Sequence, residues 1–230
     1  MLNSLFNRCR NMDGDIGTIG VGWMILTVLW IYLPGFLVNT WAMMWGKWLP
    51  KTGFGPWPID GGRIHKDGNR LLGDGKTWNG LIGGSATSGL QAILMVYLVS
   101  GNGPDSRPFI DIMWGVGEED WFWMGGKMMT AFFIGSMLGL SSLIGDSIGS
   151  YIKRRRGLKR EGDISSKAPF LDTLPFAIAT FSFGILFLRG SALGDPDAIL
   201  GMLILLLATP FIHRLFNQFG FWLGWKDVPY

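Results

Sequence analysis

The chain is poor in the residues that build most metal and disulfide sites. One cysteine in 230 residues, Cys9, excludes an internal disulfide and any thiolate metal cluster. Two histidines, His65 and His213, stand alone and leave little room for a zinc site. Charged residues make up 16% of the chain, against about 25% in an ordinary soluble domain. That deficit argues against a disordered chain and against a typical water-soluble enzyme. No Ser/His/Asp arrangement, heptad pattern, internal repeat or low-complexity tract is visible.

Apolar and small residues fill the space. Hydrophobic residues are 48% of the sequence, with 35 glycines and 12 tryptophans, and mean hydropathy is +0.29. Glycine at this density suits closely packed membrane helices, and tryptophan suits the two membrane interfaces. Five apolar stretches approach the roughly 20 residues that a helix needs to cross a bilayer. They predict a single all-α, polytopic membrane domain, with spans at about 20–45, 80–100, 125–146, 174–188 and 198–216. Pro34 is expected to kink the first span. Pro175 is expected in the first turn of the fourth. The first apolar run starts late, is too long for a signal-peptide core and lacks a small-residue cleavage site, so it reads as a true span.

The basic residues orient the chain. Loops 46–79 and 147–173, with Arg214 and Lys226, hold 15 of the 20 lysines and arginines. Loop 101–124 instead carries Asp105, Asp111, Glu118, Glu119 and Asp120. The positive-inside rule then places both basic loops and the C-terminus in the cytoplasm and the N-terminus outside. Trp114, Trp121, Phe122 and Trp123 are expected at headgroup level, and the tail 219–225 also looks interfacial. The positive charge (+3, pI ≈ 9.1) is confined to loops facing anionic headgroups or a soluble polyanion, so no nucleic-acid partner is expected.

The first basic loop reads Pro58-Ile59-Asp60-Gly61-Gly62-Arg63, then Asp67-Gly68-Asn69-Arg70-Leu71-Leu72-Gly73-Asp74-Gly75-Lys76-Thr77-Trp78. Glycines let backbone N–H groups approach an anion, arginine and lysine supply charge, and a helix N-terminus follows near Thr77. That combination fits a phosphate-rich ligand; the alternative is a flexible, solvated loop. It is not a Walker A loop, because Arg70 stands where that pattern requires glycine and no strand precedes it.

The second candidate is the end of the third span. If the helix continues, Asp146, Ser150, Lys153 and Arg154 share one face at i, i+4, i+7 and i+8. A carboxylate at the membrane edge needs a partner: an ion-paired arginine, or a metal such as Mg²⁺ shared with substrate phosphates. Asp172 reads equally as a second metal ligand or as the N-cap of the fourth span. Arg155, Arg156 and Lys159 read more readily as purely topogenic charge. Asn39, five residues after Pro34, satisfies a carbonyl freed by the kink or faces a polar cavity. The spacings Gly80/Gly84 and Gly135/Gly139 predict close helix contacts. Phosphoryl or nucleotidyl transfer is the chemistry that cations and positioning alone can serve.

With these motifs assembled, the chain resembles the archaeal CDP-archaeol synthases, relatives of the CDP-diacylglycerol synthases. The matching pieces are Leu33-Pro34 with Asn39-Thr40, the Pro58–Arg63 and Leu72–Trp78 motifs, Asp67-Gly68 with Arg70, Gly80–Gly84, Gly145-Asp146 with Ser150, Lys153-Arg154-Arg155, and Asp172–Phe176. The tail Trp225–Tyr230 matches as well. Asn79 stands where the family usually has arginine, and Asp172-Thr173-Leu174 where Asp-Gln-Leu is common. Loop 101–124 is unusually long and tryptophan-rich.

The resemblance implies Mg²⁺-dependent transfer of CMP from CTP to an archaeal ether-lipid phosphate, digeranylgeranylglyceryl phosphate, giving CDP-archaeol and pyrophosphate in the cell membrane. It implies roles for particular residues. Lys76, Asp146, Lys153 and Arg154 would be catalytic. Asn39, Asp60, Arg70, Gly73, Asp74, Gly75, Lys76 and Thr77 would bind CTP. Ser150, Lys153 and Arg154 would bind the lipid phosphate, and Asp146 and Asp172 the metal. The competing readings are a CTP-dependent polyprenol kinase, which moves the γ-phosphate, and a non-enzymatic transporter or scaffold. A CDP-alcohol phosphotransferase is set aside, because neither Asp60-Gly61 nor Asp67-Gly68 continues into that motif.

Overall fold

A computed structural model describes residues 20–158 and 169–222. Among these, six α-helices form the architecture: α1 (Val21–Ile31), α2 (Leu33–Trp48), α3 (Trp78–Val99), α4 (Lys127–Arg155), α5 (Pro169–Phe187) and α6 (Ile199–Trp222). Helix α4 lies against α2, α3 and α5, while α6 packs on α5 and α1. Three helices (α3, α4, α5) are long and apolar enough to cross a membrane. The bent pair α1–α2 adds a fourth if it counts as one span. The fifth expected span is coarser: α6 exists, but its apolar segment Pro196–Ile212 falls short of that length.

The predicted kink is present. The pair α1–α2 bends by 49° at Tyr32, with Pro34 in the first turn of α2. Proline there removes one N–H from the ladder and crowds the preceding turn. The carbonyl of Pro34, inside α2, also accepts from the Ser88 hydroxyl across the bundle at 3.0 Å, and Asn39 makes no hydrogen bond to the kink among the described residues.

Small residues let the helices touch. A Cβ on Gly135 would lie 2.6 Å from the Ser88 carbonyl, and one on Gly139 2.8 Å from Ser88 Cβ, so α4 meets α3 backbone to backbone. Gly80 and Gly84 meet Ala42 of α2 in the same way. Further along α4, Gly145 and Gly149 would place Cβ atoms 2.3 Å from the Pro175 carbonyl and 2.6 Å from the Leu171 carbonyl of α5. Both expected small-residue spacings are therefore packing contacts, and Gly145/Gly149 adds a third.

Several boundaries differ from the sequence expectation. Helix α4 continues nine residues past 146 to Arg155, because cations in a last turn meet the negative end of the helix dipole. Helix α5 begins at Pro169 rather than 174. Asp172 therefore lies in its first turn and is not its N-cap, and Pro175 lies inside the helix. At the other end of the bundle, Phe122 is buried in the core at 1% exposure, so it packs on protein rather than presenting its ring to the surroundings. The connection there folds back onto the helices: buried Asp111 pairs with Lys127 at 2.8 Å, and Trp30 and Trp121 donate to the carbonyls of Ile110 and Phe187. The expected tail 223–230 lies outside the described residues.

Candidate active site

The loop between α2 and α3 is built around one carboxylate. Asp60 Oδ1 accepts from Arg70 Nη2 at 2.5 Å and from the Gly62 N–H at 3.1 Å. Its Oδ2 accepts from Arg70 Nε at 3.2 Å and from the N–H groups of Leu72 and Gly73 at 3.1 and 3.2 Å. Burial alone would raise the Asp60 carboxyl; the Arg70 guanidinium and these three N–H groups outweigh it and hold it well below the usual carboxylate range. Two antiparallel bridges, Pro58 with Thr77 and Ile64 with Arg70, complete the scaffold. The Thr77 hydroxyl caps α3 by accepting from the Gly80 N–H at 3.1 Å. The flexible-loop alternative does not describe this segment.

The scaffold delivers Lys76 to α4, where its ammonium donates to Asp146 Oδ2. Lys76 and Asp146 side chains are 23% and 16% exposed, so the pair is half-buried but open to solutes. One helical turn and more beyond, Lys153 donates to Asp172 Oδ1 of α5. The glycine seam on α4 brings these pairs to one end of the bundle, because Gly145 neighbours Asp146 and Gly149 contacts Leu171 beside Asp172. Gly73 has φ +94°, and a Cβ there would sit 3.3 Å from Arg154 Nε. The Arg154 guanidinium thus lies on the loop backbone, where any side chain at 73 would crowd it.

The expected site residues divide in three. Lys76 meets Asp146 and Gly73 meets Arg154, about two turns apart along α4, and Lys153 meets Asp172 between α4 and α5. Asp60 faces inward, with 1% of its side chain exposed, and Thr77 is committed to its cap. Asp74 is 77% exposed and paired with Arg70 at 2.5 Å, and Gly75 is exposed in the turn beside it. Ser150 is buried at 4% exposure, away from the open edge. Asn39 stays half-buried on α2 without a hydrogen-bond partner among the described residues. The shared α4 face therefore splits, with Lys153 turned to α5 and Arg154 to the loop.

Sequence reasoning missed two participants. Arg155 grips the loop at Asp67 and at two backbone carbonyls, although its place in a basic run gave no sign of this. Asn79 is buried beneath the loop and donates to the Phe54 carbonyl at 3.0 Å.

Residues 22–230 match the family described as CarS-like, CDP-archaeol synthase. The CDP-archaeol synthase of Thermococcus kodakarensis is 35% identical over 212 residues, covering 91% of this chain and 100% of that one. The Thermococcus gammatolerans enzyme is 34% identical over 202 residues (88% and 94%). This chain belongs to the CDP-archaeol synthase family. The Picrophilus torridus member is 33% identical over 208 residues (90% and 97%). A solved structure of an intramembrane enzyme for archaeal membrane lipids biosynthesis is 28% identical, with TM-score 0.47, over 78% of this chain and 90% of that one. Membership makes the chain a CTP-dependent cytidylyltransferase of archaeal membrane-lipid biosynthesis.

Among the described residues no cluster of three or more His, Cys, Asp or Glu side chains forms a ready metal cage. Asp146 and Asp172 fit a different kind of site. Each gives one oxygen to a lysine, and among the described residues the other has no hydrogen-bond partner. Magnesium characteristically takes one or two carboxylates and completes its shell with water and substrate phosphates.

Proposed function

We propose that the loop–α4–α5 end of the bundle carries out the cytidylyl transfer, on the cytoplasmic side of a five-span protein, with digeranylgeranylglyceryl phosphate as acceptor. The observation that supports this is the convergence of Lys76, Arg154 and Lys153 with Asp146 and Asp172 at one open edge. An acceptor phosphate oxygen forms a bond to the α-phosphorus of CTP. The bond from that phosphorus to the bridging oxygen breaks, and its electron pair leaves with pyrophosphate. A phosphate monoester is largely dianionic near neutral pH, with a second pKa of about 6, so no protein base is needed. The barrier is the approach of two polyanions.

Each residue then has a task. Lys76 and the Gly73–Lys76 turn hold the CTP phosphates, with Arg154 closing over Gly73. Lys153 receives the lipid phosphate at the α4–α5 edge. Asp60 and Arg70 support the cradle from beneath and do not touch nucleotide. Asp146 and Asp172 would hold Mg²⁺, which when bound supplies charge neutralisation at the phosphates. Lys76 pairs with Asp146 and Lys153 with Asp172, so phosphate and metal would take over these partners: each lysine would pass from a carboxylate to a phosphate.

The test uses purified, detergent-solubilised protein with Mg²⁺, the lipid phosphate and CTP labelled at either the α or the γ position. The expected result is α-label in the organic phase with one pyrophosphate released per lipid. Transfer of γ-label to lipid would contradict it.

A further inference from the structure

The last residue of α4 does something that a topogenic charge need not do. Arg155 is only 18% exposed on its side chain. Its Nη1 donates to Asp67 Oδ2 at 2.8 Å, and its Nη2 donates to the carbonyl of Arg70 at 2.7 Å and, more weakly, to that of Asn69 at 3.4 Å. The guanidinium carbon lies 5.3 Å from the ring centroid of Tyr151, one turn back on the same helix. The neighbouring Arg156 is exposed.

What Arg155 holds is the tip of a small hairpin. The His65 N–H donates to the Asn69 carbonyl at 2.8 Å, and the Leu71 N–H to the Arg63 carbonyl at 3.1 Å. Asp67 Oδ1 accepts from the Asn69 N–H at 3.0 Å. The main chain gripped at residue 70 continues into the Arg70 side chain, which is locked on Asp60, and Asp60 in turn holds the N–H groups of Leu72 and Gly73. Three residues later comes Lys76. A continuous run of hydrogen bonds therefore joins the end of α4 to the turn that presents Lys76.

We infer that Arg155 is a positioning residue: it docks the 63–71 hairpin on α4 and thereby sets the height of Lys76 opposite Asp146. Arg155 touches none of the groups assigned above to substrate, so it acts through the loop. The geometry needs arginine. A guanidinium serves a carboxylate and two carbonyls at once from a planar fork, which a lysine ammonium cannot reproduce.

A loop docked for only a fraction of the time lowers apparent nucleotide affinity by that fraction, and bound nucleotide restores docking at saturation. For Arg155→Gln, KM for CTP is expected to rise about tenfold while kcat stays within about threefold. Asp67→Asn keeps an acceptor for the Asn69 N–H and loses the charge, so it shifts KM the same way, by about threefold. In the Arg155→Gln background Asp67→Asn adds little, because the Arg155 partner is already gone and only the exposed His65 contact at 3.5 Å remains.

The proposal rests on the functional reading above, so a second readout is taken without substrate. Tryptic cleavage after Arg63 or Lys66 in folded protein is expected to accelerate in both single variants and little further in the double. Neutral Asp67→Asn in both assays overturns the docking role. So does a large loss of kcat with unchanged KM in Arg155→Gln, which would place Arg155 on the reacting groups. Faster cleavage with no measurable cytidylyl transfer in the wild type would uphold docking and remove the functional reading instead.

Discussion

A lysine and an aspartate in contact at a membrane edge neutralise one another until a stronger ion arrives. Lys76 with Asp146 and Lys153 with Asp172 are such pairs. Removing the lysine frees the carboxylate, so Lys76→Met is expected to bind Mn²⁺ more tightly than wild type without nucleotide, by about tenfold, while transfer is lost. Electron paramagnetic resonance titration of free Mn²⁺ reads this directly; unchanged or weaker binding would remove Asp146 as a metal ligand. Asp60 makes a prediction about pH. Its folded carboxyl lies below its unfolded value, so its contribution is fully present above about pH 4 and is lost as pH falls through the folded value. Asp67 is lowered too, by the Asn69 N–H and then, against some desolvation, by Arg155 and His65. Amide exchange at Leu72 and Gly73, corrected for intrinsic rates, is therefore expected to quicken below about pH 4 and to stay flat from there to neutrality. The sequence named Lys76, Asp146, Lys153 and Asp172 one by one. It did not show the pairs, because the partners of Lys76–Asp146 stand 70 residues apart and those of Arg155–Asp67 stand 88 apart.

At the scale of elements, α4 is the organising piece. Its first half carries Gly135 and Gly139 against α3, and its second half carries Gly145 and Gly149 against α5. Gly145→Val would force the seam apart where the Pro175 carbonyl lies 2.3 Å from the new Cβ. It is expected to cost about 2 kcal/mol of stability and to reduce transfer, because Asp146 and Asp172 sit beside that seam. Thermal unfolding in detergent, run beside the transfer assay, checks both. Ser88→Ala removes the hydroxyl that ties α3 to the Pro34 carbonyl and is expected to cost about 1 kcal/mol with little effect on transfer. The kink, the small-residue contacts and the start of α3 were all legible, since proline chemistry, glycine spacing and a threonine cap are local signals. The extension of α4 to Arg155 was not. Four charges in succession look like loop; the helix dipole favours them in a last turn, and their partners on α5 and in the 46–79 loop hold them there.

At the scale of the whole molecule, the charge asymmetry and the site coincide. The basic segments build the end that holds the ion pairs, and the acidic connection 101–124 closes the other. That opposite end has a crevice between α1 and the connection, lined by Met24, Val28, Ile31, Arg107, Ile110 and Trp114, and none of the expected site residues lies in it. The proposed orientation is checked in a Cys9→Ser background with a single cysteine at position 63 or at position 118. A membrane-impermeant thiol reagent added outside intact cells is expected to label position 118 only. The most direct test of the account is turnover by Asp146→Asn, measured with α-labelled CTP and lipid phosphate on protein whose thermal unfolding matches wild type. The account predicts a fall of at least about a hundredfold, with Arg107→Ala at the opposite end unaffected. Full turnover by a folded Asp146→Asn enzyme would contradict it and place the chemistry elsewhere in the molecule.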